Sequence, residues 1–305
     1  SITHFTHDLL ADYQDDLRNN SNVFRLSPIN VSDIKDSTVN SYMTPVFSFF
    51  SFLYKVGAIE RNIAELVPQI KINDEEFDAR KAFTKNQWDK VKLALDLMPY
   101  ETYAQKSRAE RMRFSIMFGY GLALRVSEQS ATKHSHCYLV DDRWKCDIQK
   151  GKGGKRRRRS MHVVFDDSIA LDALIRYRKY LGLTSLPVVD SNISCLPSIT
   201  PVKTNTKTKK PLGVLKLKTG CTPRAWQKQF KSFLRNNVLP LIHPQFTESE
   251  LDKVFEKDYS KLTPHSLRHS RISHLIADGY NHFQVSKFAG HSSIKTTQIY
   301  VDVDL

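Results

Sequence analysis

Apolar residues recur at three- and four-residue steps over most of the chain, and at two-residue steps over one short stretch. This pattern predicts a mostly α protein with a small antiparallel sheet, an α+β arrangement. Asp8 to Leu17 places Leu9, Leu10, Tyr13 and Leu17 on one helical stripe. Ser37 to Val56 is stronger, with Val39, Met43, Val46, Phe47, Phe50 and Leu53 in register. Pro45 is expected to kink this helix or mark a boundary, and Gly57 to stand just past its end. Glu60 to Val67 fits a further short helix. The polar stretch 71–86 (KINDEEFDARKAFTKN) has no strong period, and 76–86 is the expected linker. It separates a helical domain over 1–75 from a second domain over 87–305.

In the second domain Thr84 or Asn86 is expected to cap a helix running from Trp88 to Leu97. Ser107 to Leu124 reads as another helix, with Met112, Ile116, Met117 and Tyr120 on one side. Cys137–Val140, Arg143–Ile148 and Ser160–Phe165 alternate like strands, and GKGG between the last two is a hairpin signal. Ser168–Tyr180, Thr222–Leu234 and Thr247–Phe255 return to helical period. Residues 190–222 are rich in Ser, Thr, Pro, Lys and Asn and read as a long loop or insertion. There are no internal repeats.

Charge changes this picture more than composition does. The 305 residues carry 46 Lys and Arg against 32 Asp and Glu, a formal net charge of +14. An excess of this size points to a polyanionic partner, usually nucleic acid. The excess is clustered after Lys81. One block is KGKGGKRRRR, from Lys150 to Arg159, and Lys203 to Lys231 contains no acidic residue. Lys150, Lys155, Arg156, Arg157, Arg158 and Arg159 are the candidate phosphate contacts. The apolar runs are too short to span a bilayer, so no membrane partner is expected. Four cysteines without CxxC spacing favour free thiols in a reducing compartment. The polar N-terminus is unlike a secretory leader, and the absence of an initiator Met suits a fragment or a processed chain.

The densest chemistry lies in HSLRHSRISHLIADGYNHFQVSKFAGHSSIKTTQIY. Thr263-Pro264 can start a helix, Thr as N-cap and Pro at the first position. His265 and Arg268 then share a face one turn apart. Asn281 can cap the next helix, which ends at Gly290. Ser292 or Ser293 can cap a last one that carries Tyr300, and the two turns return His291 toward the His265–Arg268 face. An attacked phosphodiester gains charge on its non-bridging oxygens, which suits the fixed donor fork of Arg. Tyr needs a base or a cationic setting to attack near neutral pH, and His can move that proton. The departing oxygen needs an acid, for which Lys is suited.

These residues resemble the tyrosine recombinase (phage integrase) family, whose H-x-x-R, [H/W] and Tyr follow in the order His265, Arg268, His291, Tyr300. Upstream, GYGLALRVSEQS is similar to the family's first-Arg segment and aligns Arg125 and Glu128 with its Arg and acidic residue. GKGGKRR resembles the G-K-G-x-K-x-R strand pair, which puts Lys152 in the active site, with Lys155 the competing position. STVNSYMTPVFSFFSFLYKVGAIERNIAELV is similar to the helical, SAM-like core-binding domain. The resemblance covers nearly the whole chain and is weakest over 190–260.

The resemblance implies that Tyr300 attacks the scissile phosphate, forming a 3′-phosphotyrosyl link and freeing a 5′-hydroxyl. Arg125 and Arg268 would hold the phosphate, Lys152 act as acid and His265 as base. His291 would donate a hydrogen bond to the phosphate, and Glu128 support the site. No metal, cofactor or ATP is implied. The implied partners are double-stranded DNA with inverted-repeat core sites, a homotetramer on two duplexes, and accessory DNA-bending proteins. The implied shape is a C-shaped clamp around DNA, and the implied setting is cytoplasmic, with the nucleoid if bacterial. Integration, excision or transposition of a mobile element is the expected role. Many family members continue into a C-terminal helix that docks in a neighbouring protomer; here Leu305 lies close behind Tyr300. Truncation, or assembly through another surface such as 190–222, is the expectation that follows.

Three other readings compete. Val285 to Tyr300 reads as helix, Gly turn and helix, as in a helix-turn-helix regulator, but a pure binder does not need Arg125, Lys152 and H-x-x-R together. His265, His269 and His274, or His134, His136 and Cys137, cluster as in a zinc enzyme, but at no common zinc spacing. A type IB topoisomerase would share the phosphotyrosine chemistry.

Overall fold

In the computed structural model the residues described are 5–19, 35–71, 81–140, 143–148, 159–162, 168–187, 191–198, 220–291 and Thr297. The chain divides into two compact units, Ser1–Glu76 and Phe77–Leu305.

The first unit is built on α1 (His7–Arg18) and α2 (Asp36–Lys55), followed by a 3-10 turn at Ile63–Leu66. The sequence predicted a helix from Glu60 to Val67, but only this shorter turn forms. Asn62 explains the start, because its side chain accepts from the Ala64 N–H and holds the chain in a cap. Leu10, Val39, Met43, Phe50, Leu53, Ala64 and Val67 form the core. Pro45 lies inside α2 without ending it. Gly57, at φ +72°, closes the helix in the left-handed region. Asn40 then pins the returning chain: its Nδ2 donates to the Ile70 carbonyl at 2.8 Å, and its Oδ1 accepts from the Ile70 N–H at 3.2 Å.

The second unit is organised around α4 (Tyr103–Gly121), which is buried on nearly every side along its C-terminal half. On one flank α3 (Lys85–Asp96) stacks Trp88 on Tyr120, ring centroids 3.9 Å apart. On the other, α6 (Ile169–Tyr180) stacks Tyr177 on Phe114 at 4.6 Å. Gly121 permits the second contact, since a Cβ there would stand 2.8 Å from the backbone nitrogen of Ala170. Thr84 caps α3 in a reciprocal box with Gln87, and Thr102 caps α4 in the same way with Gln105.

A short α5 (Val126–Ala131) follows, and then three antiparallel strands in the order β1 (Cys137–Val140), β2 (Arg143–Ile148), β3 (Arg159–His162). Cys137 faces Cys146 across β1 and β2, and Ile148 faces Arg159 across β2 and β3. All four cysteines are free and buried. The basic segment 149–158 thus runs between two paired strands, as its hairpin signal predicts, although its residues lie outside those described. So do 163–165, the end of the expected third strand.

Segment 191–198, the described start of the expected loop or insertion 190–222, is irregular yet buried. Ser194, Cys195 and Leu196 are fully buried. Their backbone pairs in both directions: the Cys195 N–H donates to Thr132 O and the Cys221 N–H donates to Leu196 O, at 2.9 and 2.8 Å. The remainder, 199–219, lies outside the described residues.

Beyond it, α7 (Pro223–Phe233) continues through one π-type turn into α8 (Leu239–Ile242). Next, α9 (Glu248–Val254) ends in a second π turn. Two helices complete the unit, α10 (Pro264–Ala277) and α11 (His282–Ala289). Among the described residues no helix is long and apolar enough to cross a membrane.

Candidate active site

The end of α4 determines how the site begins. The Leu124 N–H donates to Gly119 O and the Ala123 N–H to Tyr120 O, a closing pattern that requires a left-handed residue. Ala123 takes that conformation at φ +47°. Two residues later Arg125 is the N-cap of α5. Its backbone N–H and its Nη1 both donate to the Glu128 carboxylate at 2.9 Å. Glu128 is therefore a capping carboxylate and an ion-pair partner at once, well placed at a helix N-terminus. Gln129 fastens the next turn by donating to Ser115 O at 2.8 Å and Cys195 O at 3.2 Å.

The second half of the site comes from α10. Thr263 caps it through the His265 N–H and Pro264 stands at its first position, as the sequence predicts. Arg268 is almost wholly buried. Its Nη1 donates to the Ala123 carbonyl at 2.7 Å and its Nη2 to the Ala289 carbonyl at 2.6 Å. The same guanidinium approaches Glu128 at 3.9 Å. Glu128 thus lies between two arginines, one buried and one with its side chain 43% exposed. The exposed Arg125 is available to an external anion, while Arg268 is pinned by two backbone acceptors.

His265 sits beside this pair, half-buried. Burial first, then the charges of Arg268 and Arg125, push its pKa down to about 4, against a weaker pull upward from Glu128. The imidazole is neutral near pH 7. His269 packs edge-on against it, ring centroids 4.6 Å apart at 88°.

Asn281 caps α11 and Gly290 ends it in the left-handed region, at φ +67°. His291 follows at once. It comes close enough to His269 to oppose protonation of that ring, and it shares a hydrogen bond of 2.7 Å with Thr297.

The structure therefore brings together Arg125, Glu128, His265, Arg268 and, through His269, His291, from segments far apart in the chain. Tyr300, Lys152, Lys150, Lys155, Arg156, Arg157 and Arg158 lie outside the described residues, and Arg159 is described only as the first residue of β3. Sequence reasoning missed Ala123 and Ala289, and placed His269 only in the zinc reading. The carbonyls of the first two carry no side-chain signal. His269 does carry one, its spacing of a single turn from His265.

The histidines grouped in the zinc reading are engaged otherwise. His274 lies between the Tyr120 hydroxyl and the Phe83 carbonyl, each at 2.8 Å, and His134 meets Arg178 at 3.3 Å. Among the described residues no three His, Cys, Asp or Glu side chains converge as metal ligands would.

Comparison with known proteins identifies the family and the fold. Residues 89–305 match the profile of the phage integrase family. Tyrosine recombinase XerC of Thermodesulfovibrio yellowstonii is 25% identical over 320 aligned positions, covering 98% of this chain and 87% of that protein. Tyrosine recombinase XerC of Corynebacterium efficiens is 52% identical over 42 residues, 14% of each chain. Among solved structures, the XerH site-specific recombinase bound to palindromic difH substrate shares the fold. Its TM-score is 0.58 and its identity 16%, covering 98% of this chain and 69% of that one. The Tn1549 transposon integrase in complex with circular intermediate DNA shares it as well, at a TM-score of 0.60 and 13% identity, covering 99% and 82%. The profile spans well over half of the chain, and the chain belongs to the phage integrase family, that of the tyrosine site-specific recombinases.

Proposed function

We propose that this recombinase cleaves and rejoins duplex DNA through a 3′-phosphotyrosyl intermediate on Tyr300. The observation that carries this reading is the pair of arginines, Arg125 and Arg268, meeting at Glu128 beside a neutral His265. Two fixed guanidinium groups oppose the charge that builds on a phosphate in the transition state, and the pinning of Arg268 lets it act without rearranging. Neutral His265 takes the Tyr300 proton as the phenolic oxygen bonds to phosphorus. Lys152, or Lys155 in its place, gives a proton to the departing 5′ oxygen. His291 donates to a non-bridging oxygen, and Glu128 orients both arginines. Re-attack by a 5′-hydroxyl on the phosphotyrosine reverses these roles and conserves the bond energy, so the reaction needs no nucleotide.

DNA is the partner in this reading. A net charge of +14 and the run Lys150–Arg159, set between β2 and β3, suit contact with backbone phosphates. The related XerH and Tn1549 integrase structures contain DNA. We further propose inverted-repeat core sites, a homotetramer on two duplexes with accessory bending proteins, and a role in integration, excision or transposition of a mobile element.

The test is covalent trapping. A site is first selected from a random-sequence duplex pool with the intact chain and then nicked near the cleavage point, so that the short released strand diffuses away. A protein–DNA adduct resistant to denaturant is expected, absent in Tyr300→Phe. An adduct that persists in that variant, or none with the native chain on a site it binds, overturns the proposal. Strand exchange between two sites, set against relaxation of one supercoiled plasmid, separates recombination from topoisomerase action.

A further inference from the structure

The phosphate chemistry leaves two imidazoles of α10 unused, and of these His274 is taken up by Tyr120 and Phe83, which leaves His269. His269 lies one turn beyond His265 on the same face, and the two rings meet edge to face, 4.6 Å apart at 88°. Such pairs hold a preferred geometry through the ring quadrupole. His265 is in the first turn of its helix, two residues after the cap, where no earlier turn packs against it. Its ring plane must be fixed from elsewhere.

Every element packed here brings a titratable or charged group. His265 faces Arg268 and His269 from its own helix, and Arg125 and Glu128 from α5. His269 faces His265 and Arg268, Lys81 from the segment before α3, and His291 beyond α11. Burial first, then these cations and imidazoles, push the pKa of His269 down to about 3. At neutral pH it is an uncharged ring wedged beside the ring proposed to do the chemistry.

We infer that His269 is a positioning residue, whose ring fixes the plane of the His265 imidazole against the Arg125–Arg268 pair and keeps water from its far side. The inference rests on the proposed role of His265 as general base. A base free to rotate loses aim, and misplacement of about 1 Å costs about 100-fold in rate. Phe keeps the edge-to-face contact and the exclusion of water. Ala keeps neither, and Asn keeps only hydrogen bonding.

Single-turnover cleavage of the nicked, selected duplex tests this with His269→Ala, His269→Phe and His269→Asn. His269→Ala is expected to cleave about 10- to 100-fold more slowly at saturating DNA, with DNA affinity within about threefold of native. Its acid limb is expected to move to higher pH, because water reaching His265 lets that pKa rise toward the ordinary value of about 6.5. His269→Phe is expected to recover most of the rate and the native limb. A loss of fold would lower DNA affinity along with rate and would leave the limb in place. Native rate and native limb in His269→Ala overturn the inference, as does rescue by Asn and not by Phe. Full cleavage by His265→Ala or Tyr300→Phe would instead remove the underlying proposal, and the two failures are told apart on the same gel.

Discussion

The Arg268 Nη1 donates to the carbonyl oxygen of Ala123 at 2.7 Å, and Ala123 is the one non-glycine residue with positive φ among those described. The two facts have one cause. The left-handed turn that closes α4 swings this carbonyl toward α10 and then starts α5 at Arg125 two residues later. One strained residue therefore positions both arginines of the site. A non-glycine residue in this conformation costs about 1–2 kcal/mol. Ala123→Gly relieves that strain and keeps the carbonyl, at the expense of greater freedom in the unfolded chain. Thermal unfolding is expected to show this variant at native stability or above it by up to about 1 kcal/mol. Ala123→Val adds a β-branch to a fully buried left-handed site and is expected to lose about 2–3 kcal/mol.

Acid is expected to unfold the second unit through its histidines. The pKa of His134 is pushed down to about 3, that of His265 to about 4 and that of His269 to about 3, in each case chiefly by burial. In the unfolded chain each takes a proton near pH 6.5. Between that value and the folded values the unfolded state binds more protons, so stability is present above pH 6.5 and is lost as pH falls toward 4. The slope is at most about 1.4 kcal/mol per pH unit for each histidine. Denaturant titrations at pH 7.5, 6 and 5 are expected to show the midpoint falling steadily. A flat midpoint down to pH 5 would mean that these rings are already protonated in the fold.

Much of this site was legible because its chemistry resides in side chains at fixed spacing. His265 and Arg268 lie on one face of a capped helix, and the cap was readable from Thr263-Pro264. Arg125 and Glu128 are one turn apart at a helix start, where an acidic residue is favoured. What escaped was carried by backbone or by tertiary partners. Ala123 and Ala289 serve through carbonyl groups that any residue possesses. Ser194–Leu196 read as polar loop because no period marks it, yet its partners are Thr132 and Cys221, more than twenty residues away on either side. In α4 the sequence showed one apolar side. The other is buried as well, because Glu110 is neutralised by a bidentate contact from Arg176 with distances of 2.7 to 3.2 Å.

Helices α4 and α6 are expected to tolerate no side chain at Gly121. A Cβ there would meet the Ala170 nitrogen at 2.8 Å and the Ala170 Cβ at 2.9 Å. Neither obstacle is the end of a flexible chain, so Gly121→Ala must push the helices apart. Overpacking of this kind costs about 1–3 kcal/mol. A melting temperature lower by about 2–12 °C is the expected reading for a unit of this size. Gly57, with open space around its Cβ position, gives a contrasting variant, because Gly57→Ala adds backbone strain without a clash.

The segment leading into α3 is fastened to α10, and its buried and exposed fastenings are expected to differ in strength. The Phe83 N–H donates to Ser270 Oγ at 2.7 Å, and Phe83 is fully buried. Its carbonyl can only accept, so His274 Nε2 donates to it, leaving His274 Nδ1 to accept from the Tyr120 hydroxyl. Ser270→Ala strands the Phe83 N–H away from water and is expected to cost about 1–3 kcal/mol. The Lys85–Asp278 ion pair, on the same two segments, has side chains 52% and 47% exposed. Water and salt screen it, so Asp278→Asn is expected to cost less than about 1 kcal/mol. Equilibrium unfolding of both single variants and the double variant measures the contrast. Equal losses would mean that the buried N–H finds water when Ser270 is removed, and that the segment sits more loosely on α10 than the 2.7 Å contact implies.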